Sequence, residues 1–177
     1  PFGHLRQRIS IEAVALDRVE AEEQAGVFDR HPLEVGLQAL DRPHDVLVSG
    51  DGENVYVTAF EARAVTVFAR DPGTGDLSVV QVVEDDAGGV DGLEGIQRLA
   101  ESPDGSSLYV ASASRQVTVP GVGGVAAFAR AANGTLTFLE VEQQGVAGVD
   151  GLGAPRDVAV SPDGAHVYVA AGGTTGG

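Results

Sequence analysis

Three dipeptides place acid–base and anion-gripping side chains at matching points along the chain: His44-Asp45, Gln97-Arg98 and Arg156-Asp157. An imidazole titrates near neutral pH and can move a proton. A guanidinium offers a planar fork of donors that fits a carboxylate or phosphate. His44, Arg98, Arg156 and Asp157 therefore form the candidate binding set, suited to a small anionic ligand. The competing reading is local: Asp45 and Asp157 accept neighbouring backbone amides or pair with arginines of the next unit. Arg98 stands where the two sister copies carry Asp, which makes that position the least structural of the three.

A second constellation is Gly-Val-Asp-Gly-Leu, at 89–93 and again at 148–152. Asp91 and Asp150, with Asp85 and Asp86 close by, offer oxygen ligands of the kind Ca²⁺ takes. Their spacing matches no established calcium loop. The alternative is an Asp that caps a turn by accepting the amides after it. Ca²⁺ is thus the one metal reading, and no other cofactor is expected. No Ser or Cys sits in a nucleophile elbow, no His pair has zinc spacing, and no glycine-rich phosphate loop opens a helix. The catalytic residues, if there are any, stay unassigned by motif. His4 and His31 fall in a poorly patterned N-terminal part, and His166 occupies a variable hairpin position.

The elements that must position these groups are short strands. The run DVAVSPDGAHVYVA from Asp157 repeats DVLVSGDGENVYVTA from Asp45 and RLAESPDGSSLYVASA from Arg98. Asp51, Asp104 and Asp163 hold the same place in each copy, so the periods are 53 and 59 residues. Pro at the second turn position presets φ, and Gly takes the left-handed conformation. Val, Tyr, Phe and Thr alternate with small or polar residues on either side of each turn, the pattern of half-buried strands.

Each copy parses into a first strand (44–49, 97–102, 156–161), a second (54–59, 107–112, 166–170), a third ending in Phe-Ala-Arg (64–69, 124–130) and a fourth (77–83, 136–142). Four strands in about 50 residues predict an all-β chain of four-stranded antiparallel β-propeller blades forming an incomplete ring. The blades span 44–83, 97–142 and, in part, 156–177. Residues 1–43 read as a degenerate or partial blade, with 12–24 open between helix and strand. The first strand of each blade lies nearest the axis. The longest connections, 84–96, 113–123 and 143–155, then open on one face, where propellers bind things.

Composition narrows the partners. The 177 residues carry a net charge of −15, which argues against nucleic acid and anionic membrane, since both need a basic surface. No run approaches the roughly 18 apolar residues of a membrane span. There is no cysteine, so neither disulfide nor thiol chemistry is available.

The runs SPDGAHVYVA (161–170) and VFARDPGTGDLSVVQ (67–81), together with both Gly-Val-Asp-Gly-Leu loops, resemble the YVTN-type repeat of lactonase-family seven-bladed β-propellers. The resemblance covers about 44–177. It implies a bacterial extracellular or periplasmic protein, used either as a scaffold that binds a small ligand or a protein on its long-loop face, or, alternatively, as a hydrolase that opens a sugar-acid lactone. For the second use the best local candidates are His44, Arg98 and Arg156. The near-identical copies put the scaffold first. An incomplete ring exposes the apolar faces of its end blades, so the remaining blades are expected in a longer chain or through self-association.

Overall fold

Alternating β-branched and aromatic residues draw the chain into ten antiparallel strands in the computed structural model, which describes residues 39–113 and 123–172. The first sheet runs in order β1 (Pro43–Val48), β2 (Asn54–Ala59), β3 (Ala64–Arg70) and β4 (Leu77–Glu84). The second repeats it as β5 (Ile96–Glu101), β6 (Ser107–Ala113), β7 (Gly123–Arg130) and β8 (Leu136–Gln143). A third, of two strands, pairs β9 (Pro155–Val160) with β10 (Val167–Ala171). The sheets stack as successive blades, β1 against β5 and β5 against β9, so the first strands run along the inner side. The ring is open, as expected of a partial propeller. The segment 12–24 and most of the N-terminal unit 1–43 lie outside the described residues.

The core lies between blades. Tyr56, Val65, Val67 and Val83 of the first blade meet Leu93, Ile96, Leu99, Leu108, Val110, Ala126, Phe128 and Leu136 across the joint. Burying each such side chain contributes about 1.5–3 kcal/mol, so the joint, and not any single sheet, dominates stability. Phe128 makes an edge-on contact with Phe138 at 5.6 Å between ring centres. Its counterpart Phe68 points to the opposite face of the first blade, with Leu40, Val55 and Val57.

Each first-to-second turn is closed the same way. Gly52, Gly105 and Gly164 donate to the carbonyls of Ser49, Ser102 and Ser161 at 2.8, 2.9 and 2.8 Å. The same serines donate their hydroxyls to Asp51, Asp104 and Asp163. These bonds, led by the serine hydroxyl, bring Asp51 and Asp104 down to a pKa of about 2.

A polar latch locks the first joint. Arg130, at the end of β7, donates Nε to the Tyr56 hydroxyl at 2.6 Å, and its second terminal nitrogen to Asp51 Oδ2 at 2.6 Å and Asn54 Oδ1 at 2.9 Å. Its other terminal nitrogen holds Gly105 O in its own blade at 3.2 Å. Glu101 accepts the Gly50 amide at 2.7 Å and lies 3.5 Å from Arg130 Nε. On the outer side, Gln81 bonds both backbone groups of Leu136, donating Nε2 to the carbonyl at 3.0 Å and accepting the amide at 2.7 Å. That side chain supplies the hydrogen bonds the β4 and β8 edges do not give each other.

Candidate functional site

Every inner strand begins with a β-bulge. Pro43 pairs with Ala59 and Asp45 with Thr58, which leaves His44 as the extra residue. Gln97 is the extra residue between Ile96 and Arg98, and Arg156 between Pro155 and Asp157. A bulge unpairs one residue, bends the strand and re-aims its side chain, and such features gather at rims and sites. His44, Gln97 and Arg156 thus occupy one structural position in three successive blades.

Two of the candidate residues come together across the first joint. His44 Nδ1 lies 2.9 Å from the Gln97 carbonyl and 3.5 Å from an Arg98 terminal nitrogen. A carbonyl only accepts, so the close contact puts the proton on Nδ1 and leaves Nε2 as the free lone pair. Arg98 in turn donates to the Gln97 carbonyl at 3.0 Å. The imidazole ring also lies against Phe60, at 6.1 Å between centres, and the Arg42 guanidinium covers Phe60 at 4.8 Å. The exposed His44 is therefore held on two sides, with one nitrogen directed away from its anchor.

The acidic neighbours are structural. Asp45 Oδ2 accepts the Leu99 amide of the next blade at 2.9 Å, and Asp157 Oδ1 accepts the Val158 amide at 3.0 Å. Arg98 stands beside His44 and forms no ion pair among the described residues. Arg156 and Asp157 are exposed on β9.

Asp91 and Asp150, the two calcium candidates, each accept local hydrogen bonds. Asp91 Oδ2 accepts from Gln143 Nε2 at 3.1 Å, while Asp150 Oδ1 accepts from Gln144 Nε2 at 2.9 Å and the Gly151 amide at 2.8 Å. Among the described residues no three acidic or imidazole groups converge as metal ligands. Asp91 instead lines a cleft of about 250 Å³ on the long-loop face, with Arg63, Asp85, Asp86, Ser112 and Gln143. His44, Arg98 and Arg156 lie outside it.

Within that cleft Asp85 closes the first long loop, accepting the Leu93 amide at 2.9 Å. Gln144 does the same for Leu152, at 2.6 Å, in the second. Burial raises the Asp85 carboxyl above its ordinary value, against the Leu93 amide, while Arg63 at 3.4 Å lowers it only in part. A raised native value means the charged form is disfavoured by folding at neutral pH. Asp85→Asn keeps an acceptor and removes that charge. Its unfolding midpoint at pH 7 is expected at or slightly above the parent's, whereas Asp85→Ala falls below it; thermal unfolding of the pair checks this.

Neither the bulges nor the Gln97 carbonyl that orients His44 was legible in the chain. Nor were the Asp85–Leu93 and Gln144–Leu152 closures, although both span eight residues.

Comparison with known proteins agrees with this architecture. The family model described as "Lactonase, 7-bladed beta-propeller" matches residues 19–174. A candidate 6-phosphogluconolactonase from Bacteroides fragilis shares 26% identity over 73% of this chain and 32% of its own, with a TM-score of 0.57. The periplasmic gluconolactonase PpgL of Pseudomonas aeruginosa shares 31% over 72% of this chain and 32% of its own, with a TM-score of 0.53. A Bacteroides uniformis structure at 24% identity, with a TM-score of 0.58, matches in fold. The chain spans about a third of the length of these structures. No curated protein matches it significantly.

Proposed function

Since this chain belongs to the lactonase family of seven-bladed β-propellers, we propose that it forms part of a hydrolase that opens a sugar-acid lactone at the mouth of the propeller channel. The family match and the two gluconolactonase-type neighbours favour this over the scaffold that the repeated sequence put first. The observation that carries it is the anchored imidazole: His44 Nδ1 on the Gln97 carbonyl at 2.9 Å, with Arg98 at 3.5 Å.

In this reading His44 Nε2 takes a proton from water as the oxygen adds to the lactone carbonyl. Arg98 faces the oxyanion that develops on that carbonyl. Collapse breaks the ring C–O bond, and the alkoxide leaving group recovers the proton from His44, giving the hydroxy acid. Arg156, one blade on, offers a second cation for a carboxylate or phosphate on the sugar. Asp45 acts through the backbone by tying β1 to Leu99 and so setting the distance between His44 and Arg98. The similarity to a periplasmic enzyme supports a periplasmic location.

The test is hydrolysis of a panel of sugar-acid lactones by the parent and by single variants. His44→Ala is expected to lower kcat about 10²-fold or more, as removal of a general base does. Arg98→Ala lowers kcat/KM, and Arg156→Ala chiefly raises KM for phosphorylated substrates. Unchanged turnover in all three variants would sink the site, and binding of lactones without turnover would return the scaffold reading.

A further inference from the structure

The three bulges that open the inner strands are held by different means. The residue after the extra one pairs with Thr58 in the first blade, with Ala111 in the second and with Ala170 in the third. Thr58 is fully buried, and its hydroxyl accepts the Asp45 amide at 2.9 Å and reaches the Asp45 carbonyl at 3.4 Å. Branching at Cβ restricts χ1, so the hydroxyl is presented to the bulge in a fixed direction. An alanine has no group to offer at that place.

Asp45 is also held from its other side, where its carboxylate accepts the Leu99 amide of the next blade at 2.9 Å. The equivalent Arg98 carries only donors, and Asp157 Oδ1 turns back on the Val158 amide. Among the described blades, the one clamped by side chains on both sides of its bulge is the one whose extra residue is an imidazole. A bulge disrupts the ladder locally, and a slip of one residue sends each side chain to the opposite face. Such a slip in β1 would carry His44 off the Gln97 carbonyl, the contact that puts the proton on Nδ1.

We propose that Thr58 is a positioning residue for His44. Its buried hydroxyl clamps the Asp45 backbone, fixes the bulge, and so keeps the imidazole protonated on Nδ1 with Nε2 free. That the free nitrogen then moves a proton rests on the lactonase reading; the clamp and the tautomer do not.

The test pairs imidazole ¹H–¹⁵N spectra with kinetics in Thr58→Val and Thr58→Ser, His44 being assigned by the signal lost in His44→Gln. The parent is expected to show the Nδ1-protonated form. Thr58→Val, close in shape but without an acceptor, should give a mixture of tautomers. It should also lower kcat about tenfold or more with KM within about twofold of the parent's, because misplacing a reacting group costs rate before it costs binding. Thr58→Ser keeps the hydroxyl and should restore both signals. Circular dichroism checks folding, and Thr58→Ala, the residue the other two blades carry, replaces Thr58→Val if that variant unfolds. A parent that hydrolyses no lactone, yet loses its tautomer in Thr58→Val, would sink the hydrolase reading and uphold the clamp. A folded Thr58→Val or Thr58→Ala with the parent's tautomer would overturn the proposal. So would a parent already mixed between tautomers, or a Thr58→Ser that restores nothing.

Discussion

Arg130→Gln is expected to destabilise the chain by about 3 kcal/mol, the cost of removing one partner from a buried charged network. The arginine side chain is only 6% exposed, and it serves Tyr56, Asn54 and Asp51 at once. Gln cannot span those acceptors. It also leaves Glu101, whose side chain is 10% exposed, facing an uncompensated joint. Arg70→Gln is the control: that arginine has the same anchor to its own blade and no partner across a joint among the described residues, so the change costs under about 1 kcal/mol.

Denaturant midpoints of the two variants measure the difference, and pH dissects it. Asp51 is held at a pKa of about 2, first by the Ser49 hydroxyl, then by the Glu53 amide and Arg130. A lowered native value stabilises the fold above the unfolded carboxylate value of about 3.9 and stops doing so as pH falls through the native one. The gap between parent and Arg130→Gln should therefore be full above about pH 4 and narrow toward pH 2. A gap that ignored pH over that window would assign the loss to packing of the arginine stem.

The blades were legible because their determinants are local. Asn54–Ala59 follows from alternation and the Ser-Gly-Asp-Gly turn before it, and the predicted 54–59 coincides with β2. The joints were not. Arg130 read as a strand-end residue, whereas its main partner, Asp51, lies 79 positions away. Pairing of that kind depends on how one twisted sheet stacks on the next, which periodicity does not encode. The candidate site divides the same way. His44, Arg98 and Arg156 stood out by residue type, but a bulge is a registry event between strands. That His44 and Arg98 meet over the Gln97 carbonyl therefore emerges only from the fold. Val80 and Leu139 make the same point. Each is the extra residue of a bulge on an outer strand, which explains two exposed aliphatic side chains in runs that alternation alone would bury.

The second large effect is expected at Gly134→Ala. This glycine has a φ of +85°, and a Cβ there would lie 2.2 Å from Asn54 Nδ2 and 2.3 Å from its Cγ. Asn54 has little room to yield: it is 2% exposed, donates to the Phe68 and Asn133 carbonyls, and accepts from Arg130. The Tyr56 hydroxyl also bonds the Gly134 carbonyl at 3.1 Å, so moving the turn breaks a second contact of the latch. The left-handed backbone costs about 1–2 kcal/mol for a residue with a Cβ, and forced overpacking about 1–3 more, for a total near 3 kcal/mol. Gly148→Ala separates the two contributions. Its φ is +89° with nothing within 4 Å of the added carbon, so only the backbone cost of about 1 kcal/mol remains. Equal losses in the two variants would mean that the turn at Gly134 slides freely over Asn54. In that case the joint's rigidity would rest on its apolar core alone, and Arg130→Gln would have to prove mild as well.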